Sequence, residues 1–484
     1  TGLAAQDPVG RAAAGIRAEE LRAYLDTLAG DAMAGRATPS PGLEAAAAYV
    51  AGRFRAWGLR PAGDSGSYVQ RYQARTVRVI PAARRLSALW RDGHRTWTPG
   101  EDYFTFPAQA GAAGAPAAFV GNAAVGADLT GFPAGHVAVF HLPGDPMQNV
   151  SSLAAGLTAA LRASAAGVVM VLSPGVDRDS LDWFAGQMED ANVVLPVPLA
   201  VMGWDAGAAL LRAGGLDPAT IAGAPVGGWR VLDGVEMVIE SPFRASFSAA
   251  PNVVAVLRGS DPALRDEHVV VTAHLDHVGT AHPDAAGDSI YNGADDNASG
   301  VAAMLEAARA LASLPSAPRR SIVFVAPSGE ESGLQGSFHW AAHPPVPRGR
   351  LVANLNLDMV GRNAPDTLYV LGQEYSSLGA VVRRVAAQHP ELRFSYPAHP
   401  DPGLGWFGRS DHVAFVHAGV PVLFLSTLPH PDYHRPSDEP GTIDVEKLAR
   451  VARFLVYVAD AVAGAPERPR WTATGQAEAT RATQ

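Results

Sequence analysis

Apolar residues recur along this chain with two different periods. Residues 17–29 (RAEELRAYLDTLA) and 43–57 (LEAAAAYVAGRFRAW) carry them at the spacing of an amphipathic helix. Ser40 and Pro41 supply a start signal for the second helix, and Gly58 supplies a stop. Tyr68 to Val79 then turns β-like. Further on, HVVVTA (268–273), SIVFVA (321–326) and LVANLNL (351–357) are short apolar runs rich in β-branched residues and bounded by turn formers. Such runs predict strands buried on both faces of a parallel sheet. Between the first two, Val301 to Leu314 places Val301, Leu305, Ala308 and Leu311 or Ala312 on one helical face, with Ser299 positioned to cap the start. The stretch from Val445 to Val462 is amphipathic too. Strand, helix, strand in succession predicts an α/β fold: a doubly wound, mostly parallel sheet flanked by helices.

From 85 to 245 the texture changes. HVAVFHL (136–142) and GVVMVLS (167–173) alternate with Gly- and Pro-rich turns and with two Ala-rich helical patterns, 152–166 and 204–213. This stretch reads as a smaller β-rich domain inserted into the main one. The expected organisation is therefore N-terminal helices over 1–84, the insert over 85–245, the main domain over 246–465, and a flexible polar tail over 466–484.

Composition narrows the partners. The 484 residues suffice for two or three domains, and the net charge of −9 comes with no basic run, which argues against nucleic acid. No unbroken apolar stretch approaches the length of a membrane span. The chain opens on Thr1, which fits a secreted or periplasmic protein whose export signal has been removed. With no cysteine, any zinc must be held by His and carboxylate alone. Nothing in the pattern reports the oligomeric state.

The candidate chemistry sits just past the predicted strands. His274, Asp296, Glu331, Asp358 and His434 lie in TAHLDH (272–277), YNGADDNASG (291–300), PSGEESG (327–333), NLNLDMVG (354–361) and HPDYHRPSDE (430–439). In doubly wound sheets, ligands bind beyond the carboxyl ends of the strands. Two divalent ions about 3.5–4 Å apart need a bridging carboxylate and a few terminal ligands, and five such residues supply that stoichiometry. Asp296 is the natural bridge, on a tight loop where Gly293 permits unusual backbone angles. Glu330 and Glu331 diverge as neighbours along the backbone, so one is expected to bind a metal and the other to act as general base. Asp276, two residues after His274, is placed to accept a hydrogen bond from the imidazole's second nitrogen. His277 reads as a hydrogen-bonded neighbour and Asp295 as a loop hydrogen-bonding residue. Asp411 and His412 either line the site or pin a loop.

Six segments in order, AHLDH, YNGADDNASG, SGEESGLQGS, NLDMVG, SDHVAF (410–415) and DYHRPSDE, resemble the M28 family of zinc aminopeptidases. The resembling branch carries an inserted protease-associated (PA) domain, and GLRPAGDSGSYVQRYQ (58–73) and PVPLAVM (196–202) share that likeness. The resemblance implies a zinc-exopeptidase (phosphorylase/hydrolase-like) fold and two Zn2+ ions. It makes His274 and Asp358 ligands of one ion, Glu331 and His434 ligands of the other, Asp296 the bridge and Glu330 the base. It also implies a cis peptide between Asp296 and Asn297. WFGRSDH (406–412) departs from the family's usual surroundings, which puts the substrate pocket in doubt. Trp406 and Phe407 are candidates for a hydrophobic subsite or for core, and Tyr291 and Tyr433 for contacts to the reacting carbonyl or for pocket wall.

The expected activity is removal of N-terminal residues from peptide substrates. A carboxypeptidase or dipeptidase on the same scaffold is the alternative, since a metal cage does not fix which chain end is recognised. A non-catalytic binding module would be expected to lose ligands or the base, and all six residues are present. The full ligand set for two ions also argues against a glutaminyl cyclase.

Overall fold

The computed structural model describes residues 7–124, 126–144, 150–176, 192–224, 226–281, 283–284, 286–398 and 406–482. It divides into two compact units, Thr1–Ala74 with Phe247–Gln484, and Arg75–Ser246. The second unit begins at Arg75 rather than at 85. The strand Val69–Val79 runs through that point, so the hydrophobic pattern carries no break there.

The larger unit is built on a sheet with the order Arg60–Pro61, Phe243–Leu257, Ser321–Ala326, His268–Thr272, Leu351–Leu357, Val422–Ser426, Tyr369–Leu371. The four strands at 321–326, 268–272, 351–357 and 422–426 are parallel, and antiparallel strands flank them. Every residue of those four strands is buried, as expected of a sheet covered on both faces. Successive side chains serve opposite layers: Val269, Val271, Ile322 and Phe324 join one core, while Val270, Val323 and Val325 join the other. The first core lies under helices Ala18–Leu28, Pro41–Ala56, Gly300–Ala312 and Val445–Gly464. The second lies under Gln335–Ala342, His412–His417 and Ala473–Ala482. The fold is a doubly wound α/β sandwich.

Ser40 caps helix Pro41–Ala56, its hydroxyl accepting from the Leu43 amide at 3.1 Å. Ser299 does not cap helix Gly300–Ala312 as expected. It has helical backbone angles itself, and its hydroxyl donates to the Asp295 carbonyl at 2.8 Å. A polar ladder crosses the apolar sheet. Thr272 donates to Asn356 (2.6 Å), Asn354 donates to Thr272 (3.0 Å), and Asn356 donates to Ser410 (2.8 Å). Within it Thr272 stands directly beside Asn356 in the strand register.

The smaller unit holds its own eight-stranded sheet, with Ala112–Asn122, Val137–Leu142, Gly167–Leu172 and Leu199–Met202 parallel at its centre. Helices Val150–Arg162 and Trp204–Ala213 accompany it, and an apolar cluster fills each face of the sheet. Among the described residues no helix is long and apolar enough to cross a membrane.

The expected flexible tail is ordered. Residues 470–472 are stitched to 375–377 by backbone hydrogen bonds, Trp471 donates its indole N–H to the Gly419 carbonyl at 3.1 Å, and Ala473–Ala482 is a helix with Ala479 in the core. Thr472 caps that helix through the Gly475 amide, at 3.0 Å. Two apolar anchors in a polar stretch are too few to make a periodic pattern, so the sequence hides the docking. A Cβ at Gly475 would run into the Tyr375 carbonyl. Gly475→Ala should therefore undock the C-terminal helix, raising amide hydrogen exchange across 473–482. Exchange equal to the parent protein would contradict this close approach.

Candidate metal centre

Parallel strands bring their carboxyl ends to one rim, and the candidate residues follow directly. His274 leaves strand His268–Thr272, Glu330 and Glu331 leave Ser321–Ala326, and Asp358 leaves Leu351–Leu357. Asp296 lies in the turn ahead of helix Gly300–Ala312, and His434 follows Val422–Ser426. All five predicted ligands converge.

Asp296 divides its two oxygens. Oδ1 lies 3.2 Å from His274 Nε2, which is also 3.3 Å from Asp358 Oδ1. Oδ2 lies 3.0 Å from His434 Nε2, which is 3.1 Å from Glu331 Oε2. Zinc bonds of about 2.0–2.2 Å in a tetrahedron would separate ligand atoms by roughly 3.4 Å. Both triads have nearly that spacing, and the donors are the imidazole and carboxylate set that zinc takes where cysteine is absent. The residues thus fit a pair of ions sharing one carboxylate.

Crowding shifts the protonation of the acids in opposite directions. Burial pushes the Glu330 carboxyl well above its ordinary range, and the charges of Glu331 and Asp358 add to this against the pull of His274. Glu331, one residue on, is drawn down to about 2 against its burial and the charge of Asp296, by His434 and His277. Asp296 is held well below its usual value despite burial, by hydrogen bonds from His274 and His434. Burial alone would lower His274, but Asp358 and Glu330 hold it well above normal. Two adjacent carboxyl groups are thus pushed in opposite directions by burial and by their charged neighbours.

A supporting layer fixes these groups. Asp276 does not orient His274 through its carboxylate, which stands 3.7 Å from Nδ1; its backbone carbonyl, at 3.1 Å, does so instead. The carboxylate turns to the neighbouring loop, accepting from the amides of Gly329 (2.7 Å) and Glu330 (3.3 Å) and from the Thr38 hydroxyl (2.9 Å). Thr38 and Pro39 are joined by one cis peptide, and Asp296 and Asn297 by another, the latter as the resemblance implies. Asn297 ties its loop to the Asp358 segment through the Leu357 carbonyl and the Met359 amide. Asp438 receives the amides of Asp295 and Asp296, and Asp295 receives the Gly361 amide at 2.6 Å. His277 is buried with Nδ1 2.7 Å from Glu331 Oε1, so each oxygen of that carboxylate faces one imidazole. A Cβ on Gly293 would strike the His277 ring, so the glycine makes room for the imidazole as well as adopting a left-handed angle.

Arg36 is the residue that sequence reasoning missed. Fully buried, it donates to the carbonyls of Leu28, Leu275, Asn292 and Gly293, clamping the His274 and Asp296 loops together. It lies in a left-handed turn after Gly35, far from any recognised motif, and only its position between Gly and Pro hinted at a turn.

The expected substrate residues separate. Tyr433 stacks on His434 with ring centroids 3.9 Å apart, and burial together with the surrounding carboxylates keeps its phenol protonated as a donor. Tyr291 is buried on the short strand Ile290–Tyr291. Phe407 takes the core alternative: it is buried in the apolar cluster that holds Phe415 and Phe424, edge-on to Tyr375 at 4.9 Å. The side chain of Trp406 lies outside the described residues. His412 pins a loop, its Nε2 2.8 Å from the Phe407 carbonyl and its ring stacked on Phe424 at 4.6 Å; burial lowers it to about 4. Asp411 beside it is fully buried and raised to about 7 by that burial.

The model of peptidase family M28 matches residues 252–459. Aminopeptidase YwaD of Bacillus subtilis is 34% identical over 197 residues, 39% of each chain. A probable zinc metalloprotease of Leptosphaeria maculans is 29% identical over 45% of this chain and 58% of its own. The chain thus spans less than two thirds of the length of these curated relatives. Among solved structures, an aminopeptidase from Aneurinibacillus sp. strain AM-1 superposes with a TM-score of 0.59 at 21% identity, over 95% of this chain and 97% of its own, a likeness of fold.

Without a divalent ion, His274, His277 and His434 are the cations nearest these crowded carboxylates. Chelated protein should unfold at a lower temperature than protein resupplied with zinc, because each ion bound at a free concentration of 100 Kd adds about 2.7 kcal/mol of stability. Calorimetric midpoints that coincide would mean that the cluster holds no metal.

Proposed function

Residues 252–459 match the model of peptidase family M28, and we propose that this protein is a zinc aminopeptidase. It hydrolyses N-terminal residues from peptides at a two-ion centre, with Glu330 as general base. One observation carries the reading: a single carboxylate, Asp296, shares its oxygens between two His and carboxylate pairs, with Glu330 within reach of His274 of one pair and Glu331 of the other. The names of the relatives, an aminopeptidase and a zinc metalloprotease, agree with it.

His274 and Asp358 would hold one ion, Glu331 and His434 the other, and Asp296 both. When bound, such ions polarise the scissile carbonyl and acidify the attacking water. Glu330 takes that water's proton and returns it to the leaving amine, a transfer that suits a carboxyl whose pKa burial raises. Asp276 acts as a positioning residue: its carboxylate holds the amides at 329 and 330, while its carbonyl aims His274. His277 fixes the free oxygen of Glu331. Tyr433, kept protonated over His434, is suited to donate to the developing oxyanion. On the same reading, the unit Arg75–Ser246 is a protease-associated insert.

Glu330→Gln should lower kcat by about 10²–10⁴ with zinc content unchanged. Activity retained in that variant would remove Glu330 from the mechanism. Peptides with a free α-amine should be cleaved and their N-acetylated forms resisted. Equal rates on the two would point instead to recognition of the other chain end.

A further inference from the structure

The strands that deliver the metal ligands at one end frame a second cavity at the other. In the larger unit a cavity of about 520 Å³ opens where strands His268–Thr272, Ser321–Ala326 and Leu351–Leu357 begin. Arg60, Arg258, Arg265 and Arg350 line it together with His268, and Asp266 is the one acid in its wall. The other carboxylates of this end are engaged elsewhere. Glu267 is held by Arg320 and Arg468, at 2.7 Å each, and Asp261 by Arg319 at 2.8 Å. Among the described residues none of the four lining arginines makes an ion pair.

One nitrogen sharpens this. Arg265 Nε is buried with no hydrogen-bond partner among the described residues, and in the same wall His268, only 7% exposed, lies against the backbone of Asp266 and Arg350. Buried donors are normally satisfied. Arg60, Arg258 and Arg350 are exposed at the rim and Arg265 is half-buried, and like charges gathered in this way favour an anion between them. In a chain of net charge −9, such a concentration of unneutralised guanidinium groups is a local exception. Guanidinium forks match phosphate oxygens bidentately, and the volume lies in the ~300–1,000 Å³ range of small-molecule sites, larger than a single phosphate needs.

We propose that this cavity is a binding site, separate from the metal centre, for a small molecule bearing a pyrophosphoryl group. The arginines grip the phosphate oxygens, and Arg265 Nε supplies the inner hydrogen bond. The ligand's source, free pyrophosphate or a nucleotide, shares that chemistry.

Calorimetric titration of the zinc-loaded protein at fixed ionic strength tests the proposal, with ADP, pyrophosphate and adenosine as probes. ADP should bind saturably and adenosine should not. Pyrophosphate equal to ADP would identify the phosphates alone as the ligand, whereas weaker binding would identify a nucleotide; both outcomes support the site. The double variant Arg265→Gln, Arg350→Gln should bind at least tenfold more weakly, with peptide hydrolysis and unfolding temperature unchanged. Absence of saturable binding in the parent protein would overturn the proposal. So would undiminished binding in the double variant, which would locate the probe at the zinc ions instead. If the double variant proves unstable, Arg258→Gln alone should still weaken binding, and its failure to do so would overturn the proposal equally.

Discussion

The organising constraint of the larger unit is a concentration of largely buried carboxylates. Asp276, Asp296, Glu331 and Asp358 lie within a few side chains of one another, with His274, His277 and His434 among them. A buried carboxylate is tolerated only when hydrogen-bonded, paired or bound to a cation. Each acid here has a distinct answer. Asp276 collects amides, Asp295 and Asp438 serve the backbone of the bridging turn, and Asp296 and Glu331 face imidazoles. The parallel sheet makes such a gathering possible because it delivers four loops to one rim while remaining apolar beneath them.

That division of labour separates two kinds of residue that look alike in sequence. Asp295 and Asp296 are adjacent, as are Glu330 and Glu331, yet in each pair the two side chains turn to different tasks. In the first pair the turn sends Asp295 to the Gly361 amide and Asp296 to the two histidines. In the second, burial and charge drive the carboxyl groups to opposite protonation tendencies.

Much of this was legible beforehand, for a physical reason. A strand buried on both faces is a mostly apolar run, with polar residues such as Asn354 and Asn356 paired within it, so a His, Asp or Glu just past its end stands out; His274, Glu331 and Asp358 were found in that way. What stayed hidden was whatever acts through the backbone or through distant segments. Asp276 faces the imidazole of His274 through its backbone carbonyl while its carboxylate turns to the Gly329 amide, and the sequence cannot tell which oxygen faces the ring. Arg36 binds four carbonyls, and carbonyls leave no trace in residue identity. Phe407 could be pocket or core by composition alone, and the packing of Tyr375 and Phe424 around it decided for core. The C-terminal helix escaped because a single tryptophan and one glycine contact dock it, with no periodic face.

The ladder of Thr272, Asn354 and Asn356 takes on further meaning from its place in the sheet. Thr272 lies beside Asn356, and two residues beyond each stand His274 and Asp358. In a sheet of Val, Ile and Leu, a strand shifted along its neighbour by two residues would still present apolar side chains to both faces. Only the polar pairs would notice the shift. Such a shift would carry Asp358 nearly 7 Å from His274, at about 3.3 Å per residue, a distance no shared ion could span. The buried hydroxyl and amides therefore act as a gauge, setting the height at which two independent strands present their ligands.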